Sequence, residues 1–150
     1  LRENAPFETR GPKGDTMAQL VSWTADLSVG IEAIDQQHQR IVDYINELHA
    51  ASQNDDRNVV GRIIDDLMEY TVSHFSFEEA MMERAGYRFL GPHKKVHELF
   101  TRRVAEFRQR FKLREDVASE MQETLIKWLM NHIKNEDRNY AATVREFGQG

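Results

Sequence analysis

Four stretches of this chain repeat apolar residues at the three-to-four spacing that puts them on one face of a helix, at about 100° per residue. In the first, Ile34, His38, Ile41, Val42, Ile45 and Leu48 share a face. The second carries Val60, Ile63, Leu67, Tyr70, His74, Phe77, Glu78 and Met81. The third aligns His93, Val96, His97, Phe100, Val104, Phe107 and Phe111, and the fourth Val117, Met121, Leu125, Trp128, Leu129 and His132. Helix-breaking signals separate them: Ser52 to Asp56, Gly86 through Gly91-Pro92, and Leu113 to Asp116. Pro92 suits a first helical turn and Asp116 an N-cap. No strand-like alternation interrupts the pattern. The economical fold is all-α, an up-down-up-down four-helix bundle with short loops.

The flanks differ. Residues 1–22 hold two of the three prolines and no periodicity, so they read as an extended N-terminal arm, with the bundle domain spanning 23–150. The arm has no apolar stretch of a signal peptide, which argues against export and for a cytoplasmic protein. Met17 is a candidate start, with residues 1–16 as a non-native addition; a native flexible extension fits equally well. Trp23, Leu27, Val29 and Ile31 are expected to pack across the helix ends, and Asn139 to Phe147 to form a short C-terminal helical stub.

Composition narrows the chemistry. With 40% hydrophobic and 30% charged residues, the chain has the balance of a folded domain. The absence of cysteine excludes disulfides, thiolate metal sites and thiol nucleophiles. A net charge of −5 gives no electrostatic footprint for nucleic acid, and no apolar run is long enough to span a membrane. What remains is histidine and carboxylate chemistry, and the chain has six histidines.

Five of them fall into a pattern. His74-Phe-Ser-Phe-Glu78 and His93-Lys-Lys-Val-His97 each place two donors one turn apart, with Cβ atoms about 5–6 Å apart on one face. His132-Ile-Lys-Asn-Glu-Asp137 closes the fourth helix, and His38 stands alone on the first. Each pattern has a plain reading taken singly: a hydrogen-bonded core histidine, a surface charge pair, a C-terminal acid. Together they would bury five imidazoles and a carboxylate in a helical core, at about 1–3 kcal/mol for each unpartnered group. Metal coordination removes that cost. Five imidazoles and two bridging carboxylates make nine bonds, too many for one tetrahedral zinc. Two octahedral ions offer twelve positions, and a bridging oxygen fills two more, leaving one open. Imidazole with carboxylate favours iron, while manganese, zinc and cobalt stay open.

Asp137 does not fit an ideal helix. Five residues beyond His132, it is rotated by about 140°, so the fourth helix is expected to end or distort near Asn135. His49 lies eleven residues beyond His38, about 16 Å along the axis, and has no partner at metal-ligand spacing. It is expected to be structural or partly exposed.

These motifs, with Trp23-Thr-Ala-Asp-Leu-Ser-Val-Gly-Ile and Ile34-Asp-Gln-Gln-His38, resemble the hemerythrins, specifically the bacterial ones. The resemblance runs from about Trp23 to Tyr140, and no ligand position departs from the pattern. It implies a non-haem diiron centre, oxo- or hydroxo-bridged. His93, His97 and His132 would hold one iron, His38 and His74 the other, and Glu78 and Asp137 would bridge them. It further implies reversible dioxygen binding for storage, delivery or buffering, without enzymatic turnover. Phe75, Trp128 and Leu129 are candidates to wall the site. The rivals are an oxygen-activating diiron enzyme, against which the histidine-rich donor set argues, and a sensor. Expected partners are dioxygen and, for delivery or sensing, an oxygen-consuming enzyme or a signalling protein, with neither nucleic acid nor membrane involved.

Overall fold

The computed structural model describes residues 20–149; the greater part of the expected N-terminal arm lies outside the described residues. A 3-10 turn (Ala25–Leu27) precedes four long helices: α1 (Glu32–Gln53), α2 (Arg57–Arg84), α3 (Leu90–Lys112) and α4 (Ala118–Asn131). A six-residue π-helical segment (His132–Asp137) then runs into α5 (Arg138–Gln149). Packing runs from α1 to α2, α2 to α3, α3 to α4, and back from α4 to α1, which closes a four-helix bundle. No helix among the described residues is long and apolar enough to cross a membrane.

The apolar stripes build the core as their spacing predicts. Ile34, Ile45, Leu48, Ile64, Leu67, Phe107, Met121 and Leu125 are all essentially inaccessible. Each fully buried aliphatic or aromatic side chain contributes roughly 1.5–3 kcal/mol to this packing. Phe77 is an exception, at 41% exposed. The buried face of α2 is centred on Thr71, His74, Phe75, Glu78 and Met82, which leaves Phe77 at its edge and turns Phe75 inward. Val96 likewise sits only half-buried.

The helix ends follow local chemistry. Asp56 is the N-cap of α2, and its carboxylate accepts the Val59 N–H at 3.2 Å. Pro92 falls within the first turn of α3, where its missing N–H leaves no helical bond broken. Asp116, expected to cap α4, does not. Val117 occupies the N-cap with no side-chain bond, because its own side chain is drawn into the core.

The segment before α1 is pinned to the bundle. Val21 exchanges two hydrogen bonds with the Asn46 amide, at 2.9 and 2.8 Å, so core packing begins before Trp23. Leu27 and Val29 are buried, with Trp23 and Ile31 packed against the core. Asp35 holds this segment by accepting from the Ser28 hydroxyl (2.6 Å) and the Val29 N–H (2.9 Å). Gly30 makes the turn into α1 at φ +80°, and a Cβ there would strike the Arg145 guanidinium. That guanidinium donates to the Val29 carbonyl at 2.5 Å, tying α5 to the leading segment.

The expected break near Asn135 is present as a distortion, not an end. Helix α4 continues through the π segment into α5, so the C-terminal stub is joined to the fourth rod without a loop. A wider turn with i→i+5 bonding brings a residue five positions on much closer to the same face than an α-helix would. Asp137 is thereby brought beneath His132.

Candidate metal centre

Antiparallel connection sets the level of the site. His38 lies six residues after the start of α1, and Glu78 six before the end of α2. His97 lies seven residues into α3, and His132 directly follows α4. Early positions on two rods and late positions on two others meet at one end of the bundle.

All seven predicted residues meet there. His38, Glu78 and Asp137 are fully buried, and His74, His93, His97 and His132 are at most 3% exposed. Their donor atoms form two overlapping groups, each with every atom within 4.8 Å of the others: Glu78, His93, His97, His132 and Asp137; and His38, His74, Glu78 and Asp137. The two carboxylates belong to both. Asp137 approaches His132 and His38 at 2.9 Å each and His93 at 3.4 Å. Glu78 Oε1 lies 3.2 Å from His97 Nε2 and 3.4 Å from His74 Nε2. His49 stands apart, half-buried, with Nδ1 3.1 Å from the Gln122 amide oxygen.

These contacts are short but poorly aligned for hydrogen bonding. Both ring nitrogens of His38, Nε2 of His74 and His93, Glu78 Oε1 and both Asp137 oxygens find no hydrogen-bond partner among the described residues. Buried polar atoms in folded proteins are overwhelmingly satisfied. Apart from His38 Nδ1, on the ring edge away from the carboxylates, these orphaned atoms converge on one small volume and fit cations bound among them, and an imidazole–carboxylate set fits a transition metal.

The electrostatics agree. Burial pulls the His74 imidazole down to about 4, against the opposing pull of Glu78, so the ring is neutral and free to donate a lone pair. Burial disfavours the Asp137 carboxylate, yet the His132, His38 and His93 imidazoles around it together outweigh that and hold the carboxyl well below its usual range. Both groups therefore sit in the state a metal requires.

Three residues absent from the sequence-based set support the cluster from outside. Gln37 Oε1 lies 2.6 Å from His74 Nδ1, and Glu79 Oε2 lies 2.8 Å from His97 Nδ1. The Tyr140 hydroxyl donates to Glu78 Oε2 at 2.5 Å. Such outer partners fix which ring nitrogen faces inward. Gln37 and Glu79 each adjoin a predicted ligand in sequence, and Tyr140 lies three residues after Asp137; those neighbourhoods were the only signal.

Aromatic rings enclose one side. Phe75 stacks on His97 with centroids 3.8 Å apart, and Trp128 stacks on His132 at 4.4 Å and on Phe100 at 3.7 Å. Leu129 is buried in the core alongside.

Fold and site together define a helical bundle with a buried, histidine-rich cation-binding cluster at one end. The Hemerythrin HHE cation binding domain matches residues 29–144, and the chain belongs to the hemerythrin family. It is 52% identical over 129 residues to a bacteriohemerythrin of Pseudomonas aeruginosa, covering 86% of this chain and 84% of the relative. It is 32% identical to the bacteriohemerythrin of Methylococcus capsulatus, covering 81% and 94%. Among solved structures, a wild-type hemerythrin matches with a TM-score of 0.79 at 30% identity, covering 83% of this chain and 98% of that one. A mutant hemerythrin matches with a TM-score of 0.81 at 29% identity, covering 85% and 98%.

Proposed function

We propose that this chain binds two iron ions and, through them, dioxygen reversibly, acting as an oxygen store, carrier or buffer and not as an enzyme. The observation that carries the reading is the overlap of the two donor groups. Glu78 and Asp137 belong to both, which is what a pair of carboxylate-bridged cations requires. In this reading His93, His97 and His132 would hold one ion, His38 and His74 the other, and the two carboxylates would be shared between them. An iron pair, when bound, supplies the electrons for reversible dioxygen binding.

The chain's own residues do the rest. Five imidazoles against two carboxylates keep the donor set low in negative charge, which favours the ferrous state. Gln37 and Glu79 hold His74 and His97 with Nε2 facing inward. Tyr140 restrains Glu78 and keeps its proton, because burial and the charges of Glu78 and Asp137 push the phenol far above its usual range. Phe75 and Trp128 stack on His97 and His132 on one side, with Phe100 behind Trp128, and the leading segment and α5 pack over the bundle end where the cluster lies.

An anaerobic ferrous titration followed by air tests the proposal. Two irons per chain, with a charge-transfer band that forms in air and vanishes under vacuum, is the expected result. One iron per chain, or a band that does not reverse, would overturn it.

A further inference from the structure

The cluster is supported unequally. His74 Nδ1 faces a neutral amide, the Gln37 oxygen at 2.6 Å, whereas His97 Nδ1 faces a carboxylate, Glu79 at 2.8 Å. In each pair the ring N–H donates outward, and the Nε2 lone pair is left for the interior. His97 Nε2 accordingly points into the cluster, 3.2 Å from Glu78 Oε1. The two histidines thus have the same orientation from partners of different charge.

Phe75 cannot replace what Glu79 does. Its ring lies parallel to His97 within 8°, which fixes the plane of the imidazole but not its rotation within that plane. Only a directional bond to Nδ1 decides which nitrogen faces the cations. A carboxylate in that position also raises the electron-donating power of the opposite nitrogen, which an amide does much less.

Glu79 is also placed differently from the cluster. Its side chain is 25% exposed and lines a cavity of about 380 Å³ between α2 and α3, with Val72, Ser76, Thr101 and Arg102 beside it. It connects a buried cluster histidine to the surface, and its replacement leaves an opening to water instead of a sealed void. A conservative change there is compatible with folding.

We propose that Glu79 is the positioning residue of the three-histidine half of the centre, fixing the His97 tautomer and biasing that half toward the more oxidised state through its carboxylate on Nδ1. The inference rests on the two-cation reading above. It predicts two inequivalent metal positions: a carboxylate-backed one at His93, His97 and His132, and an amide-backed one at His38 and His74.

The test uses the full chain with Glu79→Gln, Glu79→Ala and the reverse change Gln37→Glu, titrated anaerobically with ferrous iron against a chelator. The midpoint potential of the loaded pair is then measured. Glu79→Ala is expected to weaken one of the two irons by about 10–100-fold. Glu79→Gln keeps an acceptor for the Nδ1–H, so its affinity is expected to stay within about threefold while the midpoint potential rises. Gln37→Glu is expected to lower the potential. A Glu79→Ala variant that binds both irons like the parent, or a Glu79→Gln variant with an unmoved potential, overturns the inference. If the alanine variant does not fold, the potential of the glutamine variant decides alone. A parent chain that takes up no iron pair overturns the two-cation reading as well, whereas a parent that loads two irons with Glu79 indifferent overturns this inference only.

Discussion

Removing one oxygen atom from Tyr140 isolates a single contact of the cluster. The ring of Tyr140 is fully buried and meets His93 edge-on at 5.4 Å and Tyr87 at 6.3 Å. Phenylalanine at this position keeps those contacts and deletes only the hydroxyl that donates to Glu78 Oε2 at 2.5 Å. A hydrogen bond to a charged group contributes about 1.5–3 kcal/mol, and its loss leaves a fully buried carboxylate oxygen without its donor. Tyr140→Phe is therefore expected to destabilise the metal-free protein by about 2 kcal/mol, which shifts the urea midpoint by about 1 M at an m-value of about 2 kcal/mol per M. Because burial and the neighbouring carboxylates push the Tyr140 phenol up, it stays protonated at alkaline pH, and the difference between the two proteins should be the same at pH 7 and pH 9. Iron loading should shrink that difference, since cations then share the Glu78 charge. Urea denaturation of parent and variant, with and without iron, measures all three. A metal-free midpoint shift below about 0.3 M would refute the claim that this hydroxyl holds Glu78.

Three further outcomes follow from the same contacts. His97→Ala should lose iron, read as metal per chain, while His49→Ala should keep it, since His49 bonds Gln122 and lies far from the cluster; equal loss would refute the assignment. The metal-free protein should be acid-labile. His74 titrates near 4 when folded against 6.5 when unfolded, so the unfolded chain binds more protons between those values and stability falls as pH drops through that window. The change is about 3 kcal/mol, from about 1.4 kcal/mol per pH unit, and is checked by urea midpoints from pH 7 to 4.5. Asp56→Ala should cost about 1 kcal/mol through the lost N-cap of α2 and leave iron content unchanged.

The stripes were legible because burial on one face of a rod leaves a period in the sequence, and the one-turn spacings of His74 with Glu78 and of His93 with His97 were legible because a helix makes residues four apart neighbours. Asp137 was legible only as a conflict. Its spacing from His132 is wrong for an α-helix, and the conflict is resolved by a π segment that no local propensity announced. Gln37 and Glu79 carried no such mark. A polar residue at the edge of an apolar stripe looks the same whether it faces water or a buried ring nitrogen, and only the three-dimensional path of the facing helix decides. The same geometry misplaced Phe77, which shares the stripe's spacing but falls at its margin once Phe75 turns toward His97. Asp116 failed as a cap for another reason: the burial of Val117 set the start of α4 one residue later than the capping preference.

The position of the cluster explains how a helical core tolerates it. Seven polar or charged side chains at one level would strain a bundle that relied on that level for its cohesion. Here the aliphatic layers lie beyond it toward the far end, with Ile45, Leu48, Ile64, Leu67, Val104, Phe107, Met121 and Leu125 all buried. Those layers draw on all four rods. The cluster end is closed differently, by Asp35 gripping the leading segment, by Arg145 reaching the Val29 carbonyl, and by Tyr140 and Ala141 of α5 packed inward. The π segment serves both arrangements, since it brings Asp137 beneath His132 and aims α5 across the bundle end. An arrangement in which apolar layers carry the fold and hydrogen bonds from Gln37, Glu79 and Tyr140 carry the orientation presents donors already in place. In the two-cation reading, metal binding would offset the desolvation of these buried polar groups.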